Sequence, residues 1–196
     1  MKITRGRGAM LAALITAALA GCAHVPPKID PAGPVEYTVT VQADRTWQNS
    51  GIKVKHGQII QCAAEGQWND HFASYGPEGN PAVYKKHFGV NAPANALIMR
   101  ICGQTNLTYF IGKETNIIAE RSGQLHFRKN YSLPIGMKGE IQIKVKVCAD
   151  ADGDGICDYD EIHVYKTNPL SPDSDGDGFS DLEETAEMRK KAEENR

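Results

Sequence analysis

The chain is expected to be all-β, a two-sheet, jelly-roll-like β-sandwich followed by a small, irregular, acidic tail. Three observations predict it. Val35, Tyr37, Val39 and Val41 alternate with Glu36, Thr38 and Thr40, and Ile141, Ile143, Val145 and Val147 alternate with Gln142, Lys144 and Lys146, the period of strands with one buried face. Between them lie short runs at 51–55, 58–64, 97–102, 107–111, 116–119 and 124–128, with turns such as His56-Gly57 and Ser122-Gly123. No stretch carries a helical period, and about eight short strands with polar outer faces make a two-sheet sandwich the natural architecture.

Before the strands comes a secretion signal at 1–22. Lys2, Arg5 and Arg7 precede an almost unbroken apolar run at 9–20, too short for the roughly 20 residues that span a bilayer. It ends in Leu19-Ala20-Gly21-Cys22, which resembles the lipobox of bacterial lipoproteins. The resemblance implies that Cys22 becomes the acylated N-terminus, and that Ala23 rather than Asp after it directs the protein to the outer membrane. Each buried methylene contributes about 0.8 kcal/mol, so two or three acyl chains hold a protein at a membrane durably. Residues 23–34, with Pro26-Pro27 and Pro31-Ala32-Gly33-Pro34, read as a Pro-stiffened tether.

Charge divides the rest into two units, 35–147 and 148–196. Residues 150–196 hold 15 acidic and 5 basic side chains, while 23–149 hold 14 basic and 9 acidic ones. The tail therefore needs counter-cations to be compact, and the body tolerates anionic partners. With Cys22 given to lipid, Cys62, Cys102, Cys148 and Cys157 remain, an even number for an oxidising compartment. Of the three possible pairings the sequence-local one is preferred: Cys148 with Cys157, and Cys62 with Cys102.

Within the body, 69–95 is rich in Gly, Pro and Asn with no clear strand, and a loop that long is where a site is sought. Trp47, Gly51-Ile52-Lys53-Val54, Gly57-Gln58-Ile59-Ile60, Ala73-Ser74-Tyr75-Gly76-Pro77, Ala96-Leu97-Ile98-Met99-Arg100-Ile101 and Ser122-Gly123-Gln124-Leu125 resemble the galactose-binding-like β-sandwich of calcium-dependent galactophilic bacterial lectins, over about 100 residues. In that family an Asp, a Thr, two Asn and a Tyr carbonyl hold calcium against the sugar. Tyr75 keeps the carbonyl and Asn130 matches the Asn beside the Asp. The four side-chain positions fall on Tyr131, Ile135, Lys138 and Gly139, or, counted from the other end, on Lys129, Leu133, Gly136 and Met137. Neither set replaces the lost oxygens, so any sugar binding here is expected to be calcium-independent.

What the body retains is an aromatic and basic set, Trp68, His71, Phe72, Tyr75, Tyr84, Lys85, Lys86 and His87, with Arg128 and Lys129 near it. Rings stack on the apolar faces of sugars, and Lys or Arg pair with their anionic substituents. Trp68, Tyr75, Tyr84, Lys85, His87 and Lys129 are the candidate ligand-binding residues. Equally open is a reading in which Trp68 is core and the lysines form a solvated rim. The six His show no metal-ligand spacing and read as structural or surface residues.

The tail is the most informative segment. Asp150, Asp152, Asp154, Gly155, Ile156, Asp158 and Glu161 fall at positions 1, 3, 5, 6, 7, 9 and 12 of a calcium loop, and Asp173, Asp175, Asp177, Gly178, Phe179, Asp181 and Glu184 repeat the register 23 residues on. Calcium takes six to eight oxygens at about 2.3–2.6 Å: alternating carboxylates wrap one side, Gly permits the sharp turn, position 7 offers its carbonyl, and Glu closes the sphere. Two Ca2+ sites, acting independently, are therefore expected. Too few residues separate the first loop from Thr167-Asn168-Pro169 for the helix of a sensor EF-hand. The run from Glu161 to Glu184 resembles the thrombospondin type 3 repeats of bacterial surface proteins, in which calcium is structural. Cys148 and Cys157 flank the first loop and are placed to staple it; beyond Glu184 a short charged helix is expected.

Together these features describe a membrane-anchored lipoprotein of the cell envelope, periplasmic-facing or surface-exposed, that is not an enzyme and carries a glycan-binding module. The alternative is a structural or interaction module whose tail contacts another envelope or surface protein. A dockerin-like role is one version, although dockerin loops close with Asp rather than Glu. The sequence holds no Ser/His/Asp or Cys/His constellation, no paired catalytic carboxylates outside the loops and no phosphate-binding Gly-rich loop, and no nucleic-acid partner is expected.

Overall fold

A computed structural model of the chain describes residues 33–69, 73–103, 107–131 and 137–186. The signal, Cys22 and almost all of the tether, together with His71, Phe72, Leu133, Ile135, Gly136 and the helix expected beyond residue 186, lie outside the described residues.

The strands follow the period-2 pattern. One sheet is built of β1 (Val35–Gln42), β11 (Lys138–Cys148) and β3 (Ile59–Asn69), with β4 (Ser74–Tyr75) and β9 (Glu114–Ile118) sharing the far edge of β3. The other has the order β2 (Gln48–Val54), β10 (Gly123–Lys129), β7 (Leu97–Cys102), β8 (Leu107–Phe110). Ile141, Ile143, Val145 and Val147 of β11 are buried while Gln142 and Lys144 face out, and Leu125 and Phe127 of β10 meet them from the opposite sheet in one core. On β1 the expected inward face is covered only from Val39 onward; Val35 and Tyr37 are exposed. β3 and β11 pair over eleven residues because both carry a glycine at their closest approach: a Cβ on Gly66 or Gly139 would lie 2.6 or 2.4 Å from a backbone oxygen of the partner strand.

Two expectations fail. The stretch 69–95 is not a loop without strands: besides β4 it contains a hairpin, β5 (Asn80–His87) and β6 (Val90–Ala94). Pro81 and Pro93 mask it in the sequence, and its turn is Phe88-Gly89, both with positive φ (55° and 86°), where Asn-Gly is the usual signal. Asn130 fastens the hairpin, its Nδ2 donating to the carbonyls of Ala92 (2.9 Å), Pro93 (3.1 Å) and Lys85 (3.3 Å). The second failure is the Cys62–Cys102 bridge. Both thiols are free, because Cys62 packs inside β3 of one sheet while Cys102 ends β7 of the other, so nearness in sequence is not nearness in space.

The Cys148–Cys157 disulfide is present, with Cα atoms 5.8 Å apart. With Ile59 it forms a small second core, and Lys146 pairs with Asp160 at 3.6 Å; these contacts hold the first tail loop on the end of the sandwich where β11 finishes. There α1 (Asp158–Asp160) widens into a π-type turn, Glu161–Tyr165, and residues 181–186 are helical. Because β1 runs antiparallel to β11, Val35 sits opposite Val147, and a Cβ on Gly33 would lie 3.4 Å from the Tyr159 ring. Gly33 and Pro34 thus lie at the tail end of the sandwich, and the β5–β6 hairpin, fastened beyond the end of β10, lies at the other. Cys157→Ser is expected to lower stability by about 2.5–3 kcal/mol, from the loop entropy of a short bridge; denaturant unfolding under non-reducing conditions measures it, and an unchanged midpoint would show that the bridge contributes nothing.

Candidate functional site

The two tail loops are built alike, bond for bond. In the first, the N–H groups of Gly153 and Gly155 donate to the two oxygens of Asp150 (2.7 and 3.2 Å), that of Asp154 to Asp152 Oδ1 (3.2 Å), and that of Ile156 to Asp154 Oδ1 (2.7 Å). In the second, Gly176 and Gly178 donate to Asp173 (2.7 and 3.0 Å), Asp177 to Asp175 (3.1 Å), and Phe179 to Asp177 (2.9 Å). The position-6 glycines have φ near +100° (Gly155 100°, Gly178 98°), a conformation side chains disfavour. Position 9 spans each loop: Asp158 accepts from Ala151 N–H at 2.7 Å, and Asp181 from Ser174 N–H and Oγ at 3.0 and 2.7 Å.

The remaining oxygens converge. Carboxylate oxygens of Asp150, Asp152 and Asp154 come within 4.8 Å of one another, as do those of Asp173, Asp175 and Asp177. A third group joins the loops: Asp154 and Glu161 of the first lie within 4.8 Å of Asp181 of the second. Glu161 and Asp181 are fully buried, and Asp152 Oδ2, Asp154 Oδ2 and Glu161 Oε2 are buried without a hydrogen-bond partner. Buried carboxylates so arranged call for a cation. The loops are therefore not the separate units their spacing implies; packing joins them, with a Cβ on Gly155 falling 3.4 Å from Leu182.

Without an ion, burial and then the charges of Asp152 and Asp154 push the Glu161 carboxyl up to about 8. Burial pushes Asp150 up to about 6, against the opposing N–H bonds of Gly153 and Gly155. A carboxyl whose pKa folding raises takes up a proton on folding, so the calcium-free folded tail is favoured at low pH and loses that stability as pH rises from the ordinary carboxylate range through about 8. A bound cation displaces the same protons. Calcium affinity is thus expected to fall on acidification from about pH 8 to about pH 6; titrations at the two pH values check this, and equal affinities would contradict it.

At the hairpin end the candidate ligand residues separate. Trp68 is fully buried, its indole N–H donating to Asn95 O at 2.7 Å, so it is core and not a sugar platform. Lys129 is 2% exposed with Nζ on Ala43 O at 3.3 Å; it too is interior rather than part of a binding rim, because β10 turns it toward the core alongside Leu125 and Phe127. Tyr75, the register partner of Trp68, is half-buried against the core. Tyr84 is 60% exposed, Lys85 and Lys86 are exposed and His87 is half-buried on β5. Of the positions matched to the lectin calcium site, Met137 is buried and Lys138 points to solvent.

A cluster of which the sequence signalled only Arg128 lies beside them. The Arg100 guanidinium sits 4.3 Å from the Trp47 ring centroid, and that of Arg128 sits 3.7 Å from Phe88 and 5.5 Å from Trp47. Cross-strand register and the hairpin turn assemble it, and neither is visible in local pattern.

No curated protein matches this chain. Among solved structures it is similar to one described as "EclA N-terminal domain; PllA-like lectin", at 20% identity and a TM-score of 0.45, over 59% of this chain and 98% of that one. Residues 150–172 and 173–187 match the family of bacterial TSP3 repeats, so the tail is a pair of such repeats carried on an all-β sandwich.

Proposed function

We propose that the chain is a non-enzymatic lipoprotein of the cell envelope, held at the outer membrane by acylated Cys22, with calcium folding its tail at the anchored end and glycan binding at the opposite end of its sandwich. The observation that carries the calcium reading is the group formed by Asp154, Glu161 and Asp181, two of them fully buried, with unpartnered oxygens and no basic partner among the described residues. The glycan reading is supported by the sequence resemblance to galactophilic lectins and by exposed Tyr84, Lys85 and Lys86 on the hairpin, away from the tether. Lys129, which one of the two counts matches to a calcium-binding position of that family, holds its ammonium in the interior, which favours calcium-independent binding.

A glycan array probed with and without calcium tests the binding end. Saccharide-specific binding that survives chelation supports the reading, and an empty array together with capture of an envelope protein favours the interaction-module alternative. Cys22→Ser is expected to abolish labelled-palmitate incorporation and detergent-phase partitioning; undiminished labelling would remove the anchor from the account.

A further inference from the structure

On the outward face of the second sheet one transverse row crosses all four strands. Asn49 of β2 pairs with His126 of β10, His126 with Arg100 of β7, and Arg100 with Thr108 of β8. At about 4.8 Å per strand the row spans roughly 14 Å. It offers an amide, an imidazole, a guanidinium and a hydroxyl side by side, all of them hydrogen-bonding groups. Asn49 is exposed and the other three are half-buried, so the row lies open where the hairpin's cover ends.

Next to it Arg128, two residues from His126 on the same face, lies under Phe88. Neither arginine forms an ion pair with a described carboxylate. Burial, and then the charge of Arg100, push the Arg128 pKa down to about 10, a sign of two positive charges kept together. The two differ in what they have left to give. Arg128 is 5% exposed and spends Nε on Lys129 O (2.9 Å) and Nη2 on Tyr131 O (2.6 Å). Arg100 Nε is buried without an acceptor, its guanidinium carbon lies over the Trp47 ring at 4.3 Å from the centroid, and a guanidinium is the side chain whose planar fork matches a carboxylate.

We propose that Arg100 is the carboxylate-binding group of a site for acidic saccharides, with Asn49, His126 and Thr108 meeting sugar hydroxyls along the row and Arg128 adding a second positive charge. This rests on the glycan-binding reading, extends it from the hairpin to the sheet face beside Phe88, and names its ligand class. A carboxylate on a sugar suits the row better than a bare anion, because only a polyhydroxylated ligand uses the amide and hydroxyl on either side of the guanidinium.

The test uses the full chain with calcium present and oligosaccharides bearing glucuronate, galacturonate or sialate, each compared with its carboxyl-reduced counterpart and with inorganic phosphate. At least one acidic oligosaccharide is expected to bind more tightly than its reduced form. Arg100→Gln is expected to weaken it by roughly ten- to a hundredfold, the worth of hydrogen bonds to a charged group. Arg100→Lys, which keeps the charge and loses the planar fork, should fall between, and the thermal unfolding midpoint should stay unchanged in both variants. Equal binding by wild type and Arg100→Gln would overturn the site. Phosphate binding as tightly as the oligosaccharide, with the same dependence on Arg100, would overturn the saccharide assignment. Neutral glycans bound while every acidic one fails would sink this inference and leave the proposed function standing; no glycan bound at all would sink both.

Discussion

Chelating calcium is expected to unfold residues 150–186 and to leave the sandwich folded. The two loops bring ten carboxylates to positions 1, 3, 5, 9 and 12, and Asp158, Glu161 and Asp181 are fully buried among them. Hydrogen bonds from the loop backbone satisfy some oxygens, but they do not neutralise charge. An ion that binds only the folded form stabilises it by RT ln(1 + [L]/Kd), roughly 2.7 kcal/mol for one site at 100 times Kd. Limited proteolysis with and without chelator reads the effect, and equal resistance in the tail would refute it. Because Asp181 stands in one group with Asp154 and Glu161, Asp181→Asn is expected to weaken calcium binding by both loops rather than by one.

The second large effect is expected in the sandwich. Trp68→Ala should destabilise it by about 3–5 kcal/mol, the usual cost of emptying a large aromatic site. It also leaves the carbonyl of Asn95 without its indole donor, and Asn95 turns the chain from β6 into β7 at φ 64°. Tyr84→Ala, at a side chain 60% exposed, is expected to change stability by no more than about 0.5 kcal/mol. Denaturant unfolding of both variants separates a core residue from a surface one; similar small losses would mean that Trp68 is not the core residue described above.

What was legible in the sequence is what local chemistry encodes. The two acidic loops were readable as a repeated unit, because alternating Asp residues and the glycines that take positive φ recur at fixed spacing within twelve residues. The alternating strands were readable because one face of each is buried. Long-range contact was not. The Cys62–Cys102 pairing followed sequence order and failed because the sheets separate the two residues. Asp181 joins the first loop only through packing of one loop on the other, and Arg100 meets Asn49, His126 and Thr108 only through strand register. The hairpin at 80–94 was hidden by its two prolines and by a Phe in its turn, and Trp68 remained ambiguous because a tryptophan serves equally as core or as sugar platform until its burial is known.

Calcium titration of the chain by calorimetry, with proteolysis of the same samples, decides whether calcium folds the tail. At least two ions per chain are expected, with binding that weakens in Asp181→Asn and protects residues 150–186 from cleavage. A stoichiometry below one ion per chain, or a tail as resistant without calcium as with it, would contradict the claim that calcium folds this end of the protein.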